Sequence, residues 1–334
     1  MIELSSYIKD ASKTDEPVVL ARVISTWGSS PRPVGSCMLI DKSGKMRGSV
    51  SGGCVEGAVI KEAQGIFEHK SSKQLSFGVT NDDAWSVGLS CGGKVEVLLQ
   101  YLDFENPLWK SLCDLIDSDK SSVLITEIDG TRNLLIGDSS VGDQFDHQVV
   151  KDVEQLSADN KHGIISSQDI SFFVQQFPRK SLLIIIGAAH LTADLASLAN
   201  TYGFKIVIID PRQVFTEGTD LSKIPLEIRT EYPSEVLPDY PLDNRTYCAI
   251  LSHDPKIDDD ALQILLPSDV AYIGALGSKK THENRVKRLK ERGISEQLID
   301  RIQSPIGINI TAKTAQEIAL SIMGEIIQVK NGSF

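Results

Sequence analysis

Five consecutive apolar residues, Leu182-Leu183-Ile184-Ile185-Ile186, followed by Gly187 and an amphipathic stretch over residues 191–202, restrict this chain more than any other feature. So short a run without polar alternation fits a strand buried on both faces, which needs helices above and below it. The next apolar run, Lys205-Ile206-Val207-Ile208-Ile209, ends in Asp210, which completes a βαβ unit with an acidic residue 23 positions after Gly187. That is the outline of a dinucleotide-binding fold. Its fingerprint is incomplete: Gly187-x-Ala189-x-x-Thr192 stands where Gly-x-Gly-x-x-Gly is expected, so the glycine that admits a pyrophosphate to the backbone is missing. The pattern predicts a Rossmann-like, doubly wound parallel sheet, and NAD binding does not follow from it. Apolar strands at 247–251 and 271–273 and helices at 261–266, 281–292 and 318–328 continue the same logic. Ligands of such sheets bind outside the carboxyl ends of the strands. His190, Asp210, Arg212, His253 and the loop Gly274-Ala275-Leu276-Gly277-Ser278-Lys279-Lys280 fall there.

Upstream the chain has a different character. Residues 18–27 are rich in β-branched side chains and read as a strand. Segments 36–41 and 46–49 read as a hairpin, 55–69 as a helix, and 74–79 and 94–101 as strands. From Pro107 the order partly recurs, with a helix to about 117, strands at 123–129 and 133–137, a helix near 148–156 and a strand at 170–176. This hints at a duplicated unit whose second copy lacks a Gly-Gly-Cys segment. Phe177-Pro178-Arg179-Lys180 is the expected boundary between an N-terminal mixed α/β domain, 1–178, and the Rossmann-like domain, 179–334.

The chemistry of the first domain gathers on glycine-flanked cysteines. Gly48-Ser49-Val50-Ser51-Gly52-Gly53-Cys54-Val55-Glu56-Gly57 puts a thiol and a carboxylate at a strand-to-helix junction, where unpaired N–H groups and the helix dipole favour a thiolate or a bound phosphate. Leu89-Ser90-Cys91-Gly92-Gly93 repeats the elements in mirror order, which suggests a shared pocket. Gly28-Ser29-Ser30-Pro31-Arg32-Pro33 carries small residues, hydroxyls and one guanidinium, the inventory of an anion-binding turn. The plainer readings are a Pro-fixed turn with a solvated Arg32, a Cys54 packed as a small hydrophobe, and a Glu56 that only complements the helix dipole. Cys37, Cys113 and Cys248 lie inside strand or helix patterns and read as packing. Lys279, Lys280, Arg285, Lys287, Arg288 and Lys290 form a charge run expected on a solvated helix face, with Ser278 and Lys279 able to close over a phosphate.

A net charge of −11 argues against a nucleic-acid partner, and no apolar run approaches the ~18 residues of a membrane span. The first ten residues lack the basic-then-apolar pattern of a signal peptide, and five widely spaced cysteines fit reduced thiols, so the expected location is the cytoplasm.

Taken together, the segments above and Ile209-Asp210-Pro211-Arg212, Ser252-His253-Asp254-Pro255-Lys256, Tyr272-Ile273-Gly274-Ala275-Leu276-Gly277-Ser278 and Pro305-Ile306-Gly307-Ile308 make the chain resemble the xanthine dehydrogenase accessory factor family (XdhC/CoxI) over nearly its whole length. The resemblance implies a chaperone that binds molybdenum cofactor, protects it while a cysteine desulfurase supplies the terminal sulfido ligand, and passes it to a molybdenum hydroxylase apoenzyme. Under that reading Cys54 or Cys91 ligates molybdenum or carries a persulfide. The N–H groups around Gly52, Gly53, Gly92 and Gly93 approach the pterin phosphate, and Ser30 and Arg32 bind it. Gly187, His190, Asp210, Arg212, His253, Gly274, Gly277 and Ser278 form the cofactor-facing edge of the second domain. Two rivals stand beside it: a NAD- or nucleotide-dependent oxidoreductase with Asp210 on a ribose hydroxyl, and a non-catalytic scaffold. A homodimer is expected only because two-fold dimers are the commonest assemblies.

Overall fold

The computed structural model describes residues 4–30, 32–78, 93–158, 161–188, 190–212, 221 and 223–332. The chain forms two compact units, Met1–Arg179 and Lys180–Phe334.

The first unit runs α1 (Ser5–Thr14), β1 (Val18–Trp27), β2 (Cys37–Asp41), β3 (Met46–Gly48), α2 (Glu56–His69), β4 (Ser72–Phe77) and β5 (Lys94–Tyr101), and then α3 (Leu108–Asp117), β6 (Ser122–Glu127), β7 (Asn133–Ile136), β8 (Ser140–Gly142), α4 (His147–Ala158), β9 (Gly163–Ser167) and β10 (Ile170–Phe177). Its two antiparallel sheets have the orders β3-β2-β1-β5-β4 and β8-β7-β6-β10-β9. The second is the first with every strand advanced by five, so the duplication hinted at by the sequence is realised as one topology built twice. Helix α1 belongs to this repeat as the counterpart of α3; it is absent from the sequence pattern, as are β8 and β9.

Strand β1 explains why both of its faces are apolar. Val19, Ala21 and Val23 pack with Val59, Ala63 and Ile66 of α2, while Val18 and Leu20 pack with Leu112 of α3 and Leu124 of β6. Alternation with period 2 therefore serves two cores instead of one core and solvent. Helix α2 shows the complementary logic: Val59, Ala63, Ile66 and Phe67 recur at helical spacing on its buried side, and Lys70 ends it in the left-handed conformation.

The second unit is a six-stranded sheet of order β13-β12-β11-β14-β15-β16, parallel throughout. Its strands are β11 (Leu182–Ile186), β12 (Lys205–Ile209), β13 (Glu227–Arg229), β14 (Thr246–Ile250), β15 (Tyr272–Ala275) and β16 (Ile302–Gln303), and α5 (His190–Thr201) joins the first two. Counted from β11 the order is 3-2-1-4-5-6, the doubly wound arrangement. Short helix α6 (Pro233–Val236) precedes β14, and α7 (Pro255–Leu265), α8 (Lys279–Glu291), α9 (Glu296–Ile299) and α10 (Ala315–Lys330) complete the layers. Ile184 and Ile186 face Leu262 and Leu265 of α7, and Leu183 and Ile185 face Leu195 of α5 and Ile322 of α10. Helix α7 begins six residues before its expected start, because Asp254 caps it and Pro255 occupies its first turn.

A capping box closes the start of α10: the Thr314 side chain accepts the Glu317 N–H, and the Glu317 carboxylate accepts the Thr314 N–H. Thr314→Ala is expected to lower stability by about 1 kcal/mol. The readout is a lower urea midpoint at constant slope, and an unchanged midpoint would contradict it.

Candidate functional site

Antiparallel pairing puts the end of β1, the start of β2, the end of β3, the end of β4 and the start of β5 at one end of the first sheet. Loops 28–36 and 49–55 and segment 78–93 therefore leave from the same end. Two of the glycine-rich stretches singled out from sequence meet there, and Gly93, the last residue of the third, sits beside the first. Cys91 and Gly92 lie outside the described residues. Gly93, which follows them, is buried, and a Cβ there would come within 2.5 Å of the Ser29 carbonyl oxygen and 2.9 Å of the Trp27 oxygen. Gly93 is thus a close-approach glycine that seats one loop on another and does not present its N–H to solvent. Beside it Trp27 is 69% exposed.

Loop 49–55 is organised by one carboxylate. Glu56 Oε1 accepts the Ser49 hydroxyl at 2.6 Å and the backbone N–H groups of Ser51, Gly52 and Val50 at 2.9, 3.1 and 3.3 Å. Oε2 accepts the Ser51 hydroxyl and, at 2.9 Å, the Gly53 N–H. The Ser51 hydroxyl oxygen in turn accepts the N–H groups of Cys54 and Val55, both at 3.0 Å. Burial alone would raise the Glu56 pKa, but the hydrogen bonds from Ser49, Ser51 and the backbone outweigh it and hold the group at about 2. Its two oxygens are taken up by these six donors, so in this arrangement Glu56 positions the loop. The Gly52 and Gly53 N–H groups, expected to meet a phosphate, already serve Glu56. What the loop presents to solvent is Cys54, which is exposed, whereas Cys37, Cys113 and Cys248 are buried as expected.

In loop 28–36 the Ser30 hydroxyl donates to the Arg32 carbonyl at 2.9 Å, which uses it to shape the turn. Arg32 is exposed, and among the described residues it pairs with no carboxylate. His162, in the link between α4 and β9, is a contact that the sequence does not signal: a Cβ at Gly35 would lie 2.6 Å from its Nε2, and its Nδ1 accepts the Gln176 N–H at 3.1 Å. No spacing marks it, because it joins the two halves of the duplication.

In the second unit several expected ligand groups are committed internally. Asp210 Oδ1 accepts the Arg212 N–H and Nε, both at 2.9 Å, and Oδ2 accepts the Ala188 N–H and Arg212 Nη2, both at 2.8 Å. Burial opposes the charge, but these bonds keep the carboxyl below its ordinary pKa. Fully buried and saturated, Asp210 has no lone pair directed at a ribose hydroxyl, so that assignment is withdrawn. Gly187 has φ +104°, and a Cβ on it would lie 2.5 Å from Ser252 Cα, so the turn after β14 closes on the place where a pyrophosphate would approach. The Thr192 hydroxyl donates to the Gly187 carbonyl at 2.8 Å. Gly274 is also a packing residue, crowded by Ile306 at 2.5 Å. His190 and His253 are exposed at the carboxyl edge, with His253 at φ 58°, and Ser278 caps α8 near Gly277. Ala189 lies outside the described residues. The charge run is not all solvated: Arg285 is 1% exposed and pairs with Asp258 at 3.2 Å, and Arg288 pairs with Asp259 at 2.7 Å.

Among the described residues no group of three or more His, Cys, Asp or Glu side chains is placed to hold a metal ion, and no helix is long and apolar enough to cross a membrane.

The chain matches the family model described as the XdhC Rossmann domain over residues 183–326 and that of the XdhC and CoxI family over residues 11–78. It is 26% identical over 318 residues to a Bacillus subtilis protein described as a probable component of xanthine dehydrogenase, covering 94% of each chain. It is also 26% identical over 322 residues to the molybdenum cofactor insertion chaperone PaoD of Escherichia coli, covering 96% of this chain and 86% of that one. A crystal structure described as a xanthine dehydrogenase from Bacillus halodurans is similar with a TM-score of 0.75 at 26% identity, over 100% of this chain and 96% of that one. These relatives give no support to the NAD-dependent alternative.

Proposed function

This chain belongs to the XdhC and CoxI family, and from that premise we propose that it binds molybdenum cofactor as cargo at the loop end of its first sheet and delivers it to a molybdenum hydroxylase apoenzyme. The single observation that carries the reading is the exposed thiol of Cys54, held out on a loop that Glu56 ties down through six hydrogen bonds. A soft sulfur ligand suits molybdenum or a transferable sulfur atom. Arg32, exposed and without a carboxylate partner among the described residues, suits the cofactor phosphate as a bidentate donor. Because Glu56 takes up the glycine N–H groups, the phosphate falls to Arg32 and not to the backbone of Gly52 and Gly53. Cys91 and Gly92 belong to the same proposal through the segment that ends at Gly93. A cysteine desulfurase as sulfur donor, a homodimeric state and a cytoplasmic setting complete it. The second unit, with Asp210 turned inward, serves this reading as a partner or cargo platform exposing His190 and His253.

The test is anaerobic co-purification with molybdenum cofactor, reading molybdenum and pterin per chain. The wild type should retain cofactor, Cys54→Ala should lose about 90% of the metal, and Arg32→Met should weaken retention about tenfold, the scale of one charge-assisted bidentate contact. No retention by the wild type, or equal retention by all three proteins, would overturn the proposal.

A further inference from the structure

Two arginines of the second unit show how this fold saturates a guanidinium. Arg288 donates Nε and Nη2 to the Asp259 carboxylate at 2.7 and 3.0 Å, and Arg301 gives both Nη groups to the carbonyls of Leu266, Ser268 and Val270. Arg285 is treated differently. It is 1% exposed, yet only Nη2 is engaged, donating to the Leu276 carbonyl at 2.9 Å and to Asp258 Oδ2 at 3.2 Å. Its Nε and Nη1 are buried and have no hydrogen-bond partner among the described residues, and the same holds for Nδ1 of His282, one turn earlier on the helix. Leaving a buried polar atom unpaired costs more than an ordinary hydrogen bond contributes, most of all on a charged group, so three such atoms in one place point to a ligand.

These atoms lie at the first turn of α8. Side chains on a helix lean toward its N-terminus, and the Arg285 guanidinium reaches back to the carbonyl of Leu276, two residues ahead of the Ser278 cap. His282, three residues before Arg285, shares that face. Burial and the nearby Arg285 charge both hold the His282 pKa below the usual imidazole value, so its ring is neutral at neutral pH. The Ser278 hydroxyl accepts the Thr281 N–H at 3.2 Å and the Ser278 carbonyl accepts the His282 N–H at 2.9 Å. The N–H groups of Lys279 and Lys280 are left without an acceptor inside the helix. Thr281 is exposed and His282 half-buried, so the turn opens to solvent. It stands at the carboxyl end of β15, where ligands of such sheets bind, two strands away from the Gly187 turn that Ser252 closes.

We propose that this edge binds the phosphate group of a small molecule, with Arg285, His282 and the first-turn N–H groups of α8 as its donors. The charge balance selects an anion. Asp258 is the single carboxylate bonded to Arg285 among the described residues, and its Oδ1 is held by the Ser252 hydroxyl at 2.6 Å. Burial raises the Asp258 pKa in spite of these bonds, so it is an incomplete counter-charge. Its neighbour Asp259 is claimed by Arg288 and Arg292. The first turn of α8 carries no acidic residue and exposes Lys279 and Lys280 instead. Phosphate is favoured over a carboxylate because its several terminal oxygens can take guanidinium, imidazole and backbone donors together.

Inorganic phosphate and methyl phosphate are the probes, each titrated calorimetrically into the full chain in a phosphate-free buffer at low salt. The expected result is saturable binding of one phosphate group per chain. Binding of the free ion alone assigns inorganic phosphate, and binding of the ester assigns a phosphorylated compound; either supports the site. The double variant Arg285→Met/Asp258→Asn removes the ion pair without stranding a charge and should weaken binding at least about tenfold. His282→Ala leaves the pair intact and should weaken it about fivefold. Lys287→Met removes an exposed charge from the same helix and should leave affinity within about twofold. Thermal melts check that each variant is folded, and His282→Ala decides the matter if the double variant is not. No saturation by ~10 mM of either probe, unchanged affinity in the folded variants of Arg285 or His282, or an equal loss in Lys287→Met would overturn the proposal. Cofactor retention at Cys54 is read separately and bears on neither outcome.

Discussion

Glu56→Ala is expected to abolish retention of molybdenum cofactor while leaving Cys54 itself in place. The substitution removes the acceptor of four backbone N–H groups and two hydroxyls, and of their residues Val50 and Ser51 are buried away from water. The cost in stability is about 2–3 kcal/mol, the scale for charge-assisted bonds whose partners stay partly buried. The greater effect is on order, because Ser51, which orients the Cys54 N–H, is itself held by Glu56. Glu56→Gln keeps the shape but turns an NH2 group toward N–H donors, and retention should fall about tenfold. The same carboxylate sets an acid limit. Its pKa is depressed from 4.5 to about 2. Its contribution to stability is therefore complete above pH 4.5 and is lost as pH falls from there through about 2. Urea midpoints of wild type and Glu56→Gln should differ at pH 7 and converge as pH falls through this window. A constant difference down to pH 2 would refute the assignment.

Arg22→Ala is expected to be the most destabilising substitution in the first unit, by about 3–5 kcal/mol. Arg22 is fully buried where the two halves of the duplication meet. Nη2 donates to Gln100 Oε1 at 2.8 Å and Thr126 Oγ1 at 2.9 Å, and Nη1 donates to Gln175 Oε1 at 3.5 Å. The partners are neutral, so burial pulls the guanidinium pKa down to about 10, which still leaves it charged at neutral pH. Alanine would leave a cavity and three buried acceptors without a donor. Arg22→Met restores most of the volume and none of the bonds, so it should recover about half of the loss. Denaturant midpoints measure both, and an alanine variant within about 1 kcal/mol of wild type would show that the polar contact is replaceable.

Local patterns are legible where one segment carries its own signal. The run 182–186, the helix after it and the strand ending at Asp210 need no partner to be recognised, because a strand covered on both faces is apolar throughout. The hairpin of β2 and β3 and the apolar stripe of α2 are equally legible. Helix α1 buries only Ser5, Ile8 and Ala11 and so carries few apolar residues to mark it, and the short, half-exposed strands β8 and β9 have no run of apolar residues to announce them. The charge run of α8 departs from its expected solvation because like charges on one helix look solvated until their partners on α7, Asp258 and Asp259, are known.

By itself the sequence determined a doubly wound C-terminal sheet and a different N-terminal half, and it singled out glycine-flanked cysteines as the candidate site. Only the tertiary structure decided how the site's parts are used. Glu56, equally readable as a catalytic acid or a dipole partner, became the tie of a loop because six donors from residues 49–53 close on it. Asp210 became an internal ligand of Arg212 because the chain turns back within two residues. The doubled topology of the first unit was only hinted at in sequence because repeated topology is kept by burial and register, which many sequences satisfy. A residue's type limits what it can donate or accept, and the fold decides which of those groups remain free for a ligand.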